Sequence, residues 1–66
     1  MKILCTVLVQ DNMQKENLCE CIRILGGQPT ISGSVVCVEF DGKPSEAEKF
    51  IQLIEQYPRH SIVTQQ

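Results

Sequence analysis

The order in which apolar runs and chain breakers alternate constrains this sequence more than any other feature. Residues 2–10 are rich in β-branched and aliphatic side chains, which favour a strand. A helical pattern follows, then a strand pair interrupted at Gly33-Ser34, a second helical pattern, and a short closing strand at residues 60–64. The predicted order is therefore β-α-β-β-α-β, which limits the class of fold and leaves the function open.

The first predicted strand carries apolar side chains on both faces, which is typical of a central strand. A helix follows, for which Asp11 is the predicted N-cap and Gln14 completes a capping box. This helix runs to about Leu25 and ends at Gly26-Gly27, because glycine readily adopts the left-handed conformation of a helix C-terminus. Its predicted inward stripe has amphipathic spacing and consists of Leu18, Cys21, Ile22 and Leu25.

The hairpin and the second helix are predicted from turn and cap residues. A two-residue loop that opens with glycine, Gly33-Ser34, predicts a type II′ hairpin. Ser45 as N-cap and Glu48 three residues later predict the start of the second helix, and Pro58 ends it. The predicted buried side of this helix comprises Ala47, Phe50, Ile51, Ile54 and Tyr57.

These elements predict one α+β domain spanning residues 1–66, with two helices on one face of a four-stranded antiparallel sheet. This arrangement is the ferredoxin-like βαββαβ sandwich. Right-handed crossovers place the first and third strands at the centre of the sheet. A domain this small buries only about 60% of its unfolded surface, so self-association would add stability.

The sheet face opposite the helices has no element to cover it. In the predicted register this face carries an apolar patch, which a monomer seldom leaves exposed to water. We therefore expect a homo-oligomer, formed by stacking of sheet faces or by pairing of edge strands. The predicted interface residues are Leu4, Leu8, Val35 and Cys37.

The charge and hydropathy of the chain exclude several classes of partner. The net charge is −2 and the six basic residues are scattered, whereas nucleic-acid phosphates are bound by clustered Lys and Arg. No segment approaches the ~20 apolar residues of a membrane helix. We expect neither a nucleic-acid nor a membrane partner, and a cytoplasmic location.

No group of residues in the sequence predicts catalysis, a metal site or a cofactor. Cys19 and Cys21 point in different directions on a helix, so they cannot ligate one ion. Cys21 and Cys5 are expected to meet in the core as free thiols, while Cys37 projects to the opposite sheet face. His60, the only histidine, has no predicted nucleophile and carboxylate beside it. We expect a protein that is not an enzyme.

Two segments place an aspartate loop after the first strand and a pair of glycines after the first helix: VLVQDN at residues 7–12 and IRILGG at residues 22–27. In this pattern the chain resembles small ACT-like regulatory domains. In such domains the two segments meet an adjacent subunit and form an effector site. The resemblance therefore implies ligand-binding roles for Asp11, Asn12, Gly26, Gly27 and Gln28. From the residues alone, the simpler interpretation is that the aspartate is a helix cap and the glycines are a helix terminator.

Two functions remain open at the level of sequence. The first is a small non-catalytic regulatory or binding module that acts through homo-oligomerisation and senses a small ligand. The second is a protein-interaction module, an adaptor or inhibitor, that binds a different protein through the open sheet face or an edge strand. The first function buries the open face symmetrically, whereas the second leaves it available.

Overall fold

The computed structural model describes residues 1–65 and has the predicted order of elements. The elements are β1 (Lys2–Leu8), α1 (Asn12–Ile24), β2 (Gln28–Ser32), β3 (Val35–Asp41), α2 (Pro44–Glu55) and β4 (His60–Gln65). The sheet order is β2-β3-β1-β4, and every neighbouring pair is antiparallel. The ferredoxin-like α+β prediction is confirmed, including the central position of β1 and β3.

The tight connection between β2 and β3 is the predicted hairpin. Gly33 has a φ of 59°, and among residues 1–65 no residue other than glycine has a positive φ, so Ser34 does not. A positive φ at the first central position alone is the signature of the type II′ turn. The short loop fixes the register, with Ser32 opposite Val35 and Ile31 opposite Val36.

The hydrophobic core lies between the helices and one face of the sheet. α1 covers β2 and β3, while α2 covers β1 and β4. At its centre the rings of Phe40 and Phe50 pack with their centroids 4.3 Å apart. Ile51 and Tyr57 of the predicted α2 face are half-buried against this core. The buried side chains are Ile3, Cys5, Val7, Val9, Leu18, Cys19, Ile22, Val36, Val38, Phe40, Ala47, Phe50 and Ile54.

The predicted inward stripe of α1 is wrong at one position. Cys19 is buried, whereas Cys21 is exposed, so Cys19 and not Cys21 joins Cys5 in the core. Leu18 and Ile22 are buried as predicted, and the two cysteines lie on opposite flanks of that pair. The spacing of apolar residues fits either flank, and packing against β2 and β3 selects the side of Cys19.

The second helix begins two residues earlier than predicted. Lys43 is the N-cap and Pro44 is the first helical residue, so Ser45 lies inside the first turn. Glu46, not Glu48, closes the cap, since its Oε1 accepts a hydrogen bond of 3.3 Å from the Lys43 amide. Proline suits this first position because no intrahelical acceptor exists for an N–H there and its fixed φ is already helical.

Candidate functional site

The sheet face opposite the helices, here called the open face, carries the predicted interface residues. The structure places Leu4 and Leu8 on this face with 37% and 39% of their surface exposed. In the β1–β3 ladder Leu8 lies opposite Val35, and Thr6 lies opposite Cys37. Val35 and Cys37 are half-buried by their neighbours within the sheet. The four predicted residues therefore form one connected patch along the two central strands.

Val63 extends this patch and was not among the predicted interface residues. It lies directly opposite Leu4 in the β1–β4 ladder and is 50% exposed. Side chains that face each other across a ladder project to the same side of the sheet. The period-two alternation of residues 60–64 signals this placement once the pairing of β4 with β1 is known.

Polar groups border the apolar patch on the open face. Thr30 and Ser61 lie in one row with Thr6 and Cys37, as the pairings of β2 with β3 and of β1 with β4 show. At the end of the sheet, Lys2 Nζ lies 2.9 Å from Glu39 Oε1. This hydrogen bond, with the attraction of the carboxylate, raises the pKa of the exposed Lys2 ammonium. The open face is thus an apolar strip with hydroxyl groups beside it and an ion pair at one end.

Of the residues that the ACT-like resemblance implicates, Asp11 and Asn12 lie at the N-terminus of α1. Asp11 Oδ1 accepts a hydrogen bond of 2.7 Å from the Gln14 amide, so Asp11 is the helix cap that the sequence predicts. Gln14 Oε1 in turn accepts a hydrogen bond of 2.7 Å from the Gln10 amide. The loop after β1 is therefore held by two side-chain hydrogen bonds, and the predicted capping box is only half formed, because the Gln14 side chain bonds to the Gln10 amide and not to the Asp11 amide.

Gly26 and Gly27 form the C-terminus of α1. Gly26 has a φ of 92° and its amide donates to the Arg23 carbonyl, while the Gly27 amide donates to the Ile22 carbonyl. This pair of bonds is a Schellman motif, which satisfies the last carbonyls of the helix. A Cβ on Gly27 would lie 2.8 Å from the Phe50 ring. The two glycines thus have complete structural roles, and the implicated Gln28 follows them as the exposed first residue of β2.

The two halves of the implicated ligand site lie at opposite ends of α1. The helix has 13 residues, and at 1.5 Å per residue it separates Asp11 from Gly26 by about 20 Å. One chain therefore does not bring the two halves together. A single site that uses both halves requires two chains, with the start of α1 in one chain beside the end of α1 in the other.

Two clefts open at the end of the sheet near Asp11. The larger has a volume of about 350 Å³ and lies between the end of β1, the β2–β3 turn and the loop before β4, with Leu8, Ser34 and Arg59 in its lining. The smaller, of about 300 Å³, is lined in part by Asp11, Asn12 and Lys15. Of the implicated residues, Asp11 and Asn12 at the start of α1 therefore border a cleft.

The cysteines and the histidine do not converge on a reactive centre. All four thiols are free, and burial raises the pKa of the Cys5 thiol. His60 Nδ1 is within hydrogen-bond distance of the Tyr57 carbonyl oxygen, which makes it part of the turn before β4. Within residues 1–65, no group of three or more His, Cys, Asp or Glu side chains is placed to hold a metal ion.

No helix in the described part of the chain is both long and apolar enough to cross a membrane. Comparison with models of protein families, with curated proteins and with solved structures found no match to this chain.

Proposed function

We propose that this protein is a small non-catalytic regulatory module of the ACT-like kind, which acts by self-association through its open face. The observation that carries the proposal is the apolar patch of Leu4, Leu8, Val35, Cys37 and Val63 on a face without helices. Each Å² of apolar surface removed from water contributes roughly 25 cal/mol. A second copy with the same patch gives a self-complementary, two-fold interface.

The size of the chain supports the same conclusion. The core occupies one side of the sheet, and a domain of this size has little apolar burial to offset its loss of conformational entropy. β1 and β3 are mostly apolar on both faces, which is typical of strands that are buried on both sides. Covering the open face would bury their second side. Self-association is thus a source of stability for the fold as well as the basis of its function.

Ligand sensing belongs to the same proposal. Asp11 and Asn12 at one end of α1, and Gly26, Gly27 and Gln28 at the other, would contribute to a shared site only between two chains. Because α1 lies on the other side of the sheet from the open face, such a site needs a contact between the α1 helices of two chains in addition to the open-face contact, and a ligand bound there would favour that added contact by mass action. The four free thiols favour a reducing, cytoplasmic setting for this module.

The second candidate function is binding of a different protein through the open face. The hydroxyl groups of Thr6, Thr30 and Ser61 beside the apolar patch favour it, because interfaces that form and dissociate retain polar, hydrated borders. In this case the open face is exposed in the isolated protein and becomes covered when the other protein binds.

The substitution Leu8→Glu tests the proposal. A carboxylate at position 8 of a stacked apolar patch is buried without a partner, so it disrupts the interface. We expect the wild-type protein to have at least twice the 7.4 kDa mass of one chain by multi-angle light scattering. Leu8→Glu is expected to lower this mass at every concentration in a dilution series.

The matched control is Met13→Glu, since Met13 is 73% exposed on α1, away from the open face. Its mass should equal that of the wild type. A wild-type protein that is monomeric at all concentrations contradicts the proposed self-association. If that monomer binds a protein partner and Leu8→Glu abolishes the binding, the second candidate function replaces the first.

A further inference from the structure

We propose that β4 pairs with β4 of a second copy of this chain, antiparallel, so that the two sheets become one continuous sheet. The inference rests on the proposed self-association and adds to it a second contact, at the sheet edge and distinct from the open face. It follows from the directions in which the backbone amides point on the two edge strands, β2 and β4.

The hydrogen bonds around β1 fix these directions. Just beyond the two ends of β1, the Val9 amide donates to the Ser34 carbonyl, and Met1 and Gly42 exchange two hydrogen bonds. The same alternation continues through the strand, so the odd-numbered residues of β1 bond to β3. Leu8 donates to the Arg59 carbonyl, so even-numbered residues of β1 bond to β4. In an antiparallel ladder, paired residues that exchange these bonds alternate with residues whose backbone groups point the other way.

On β4 the residues that bond to β1 are therefore Ser61, Val63 and Gln65, and the residues between them point outward. The outward N–H and C=O groups belong to His60, Ile62 and Thr64. Within residues 1–65 no strand lies beside them, because β4 is at the edge of the sheet. The strand contains no proline and no charged residue, so it lacks the devices that usually protect a sheet edge.

The opposite edge is protected. By the same alternation, Gln28, Thr30 and Ser32 of β2 bond to β3, and Pro29 and Ile31 point outward. Proline has no N–H, so within β2 only the Ile31 amide is available to an added strand. Of the two edges, β2 is thus blocked for strand addition and β4 is open.

A second copy fits the β4 edge because the outward groups are arranged symmetrically about Ile62. In an antiparallel pair centred on Ile62, the two Ile62 residues exchange hydrogen bonds, and His60 of each copy does so with Thr64 of the other. The strand carries no carboxylate or ammonium group, so like charges are not brought together along it. On the open face this register places Val63 beside Ser61 of the second copy.

Edge pairing makes the open face continuous across two chains and leaves it uncovered. Stacking of two such paired sheets through the open face then covers it, and the complete assembly is a tetramer with two kinds of two-fold contact. The edge contact supplies backbone hydrogen bonds and sets the register, and the face contact supplies the apolar burial.

The test compares Thr64→Pro with two control variants by analytical ultracentrifugation. The Thr64 amide points away from β1 and the side chain is exposed, so proline removes an outward N–H and no hydrogen bond to β1. Thr64→Ala keeps the amide. Ile31→Pro removes the corresponding outward amide on the blocked edge. We expect Thr64→Pro to halve the mass of the assembly and both controls to leave it unchanged.

A second measurement, amide hydrogen exchange, does not depend on the proline variant. The Ile62 and Thr64 amides should become at least ~10-fold more protected as the wild-type protein is concentrated from dilute solution, and the Ile31 amide should not. Equal exchange of all three amides at every concentration would overturn the inference.

The two proposals fail in different ways. A wild-type dimer that Leu8→Glu dissociates and Thr64→Pro does not overturns the edge contact and keeps the face contact. A dimer that only Thr64→Pro dissociates overturns the face contact and supports the edge. A tetramer that each substitution reduces to a dimer supports both contacts, and a wild-type monomer at all concentrations overturns both.

Discussion

At the scale of single residues, the glycines after α1 show how an apparent ligand motif can have a packing role. The sequence correctly predicts that Gly26 ends the helix, because a left-handed C-terminal residue is a local requirement. The close approach of Gly27 to Phe50 depends on how α2 packs over the sheet, about which local sequence carries no signal. A glycine pair after a helix therefore indicates its termination more directly than a binding loop.

Gly27→Ala tests this packing role. The new Cβ would meet the Phe50 ring at 2.8 Å, and we expect the free energy of unfolding to fall by about 1–3 kcal/mol. In the double variant with Phe50→Leu the ring is absent, so the cost of Gly27→Ala should shrink. Urea denaturation of the wild type, the two single variants and the double variant gives the coupling energy between positions 27 and 50. Additive effects would show that the contact with Phe50 is not the cause.

At the scale of elements, the start of each helix separates what local pattern determines from what it leaves open. The cap of α1 is confirmed, because Asp11 is the only side chain at that boundary with the required geometry and partner. The predicted cap of α2 is wrong by two residues, because a Ser-x-x-Glu pattern follows Pro44 and resembles a capping box. Proline at the first helical position is the stronger local signal there.

The two helix starts give a matched pair of alanine substitutions. Asp11→Ala removes the side-chain acceptor for the Gln14 amide, and we expect a loss of about 1 kcal/mol in the free energy of unfolding. Ser45→Ala should change it by less than about 0.5 kcal/mol, because Ser45 is exposed in the first turn and is not the cap.

Thermal or urea denaturation of the two variants measures the difference. Asp11→Ser, which retains an acceptor oxygen, should recover most of the stability that Asp11→Ala loses. Equal losses from Asp11→Ala and Ser45→Ala would contradict the assignment of the α2 cap to Lys43.

At the scale of the whole molecule, the sequence predicts topology and faces better than it predicts edges. Alternation along β1 and β3 places Leu4 and Leu8 on the open face correctly, because the polar residues of the two central strands, Thr6 and Glu39, fall on the same face as these leucines. Val63 was missed because its placement depends on the register of β4 against β1. The contrast between the blocked β2 edge and the open β4 edge likewise depends on which backbone amides point outward, and only the hydrogen-bond ladder shows this.

The stability of the whole molecule is expected to decrease as the pH rises through the alkaline range. Burial raises the pKa of the Cys5 thiol and, with the nearby Cys21 thiol as a second cause, that of the Tyr57 hydroxyl. Above the ordinary cysteine pKa of about 8.5, the unfolded chain releases the proton that the folded chain still holds at Cys5. The unfolded state then binds fewer protons, so the free energy of unfolding falls with pH.

Urea denaturation at a series of pH values between about 7 and 10.5 measures this dependence, with the ordinary pKa values of the two groups setting the range. Cys5→Val removes the ionisable group from β1 while keeping an apolar side chain of similar size, and it should flatten the decline that begins near pH 8.5. Tyr57→Phe should flatten only the later part, near pH 10. The hydrogen bond to Glu39 raises the pKa of Lys2, so the small contribution of that exposed pair is also lost at high pH. A Cys5→Val profile parallel to that of the wild type would contradict burial of the Cys5 thiol as the source of the decline.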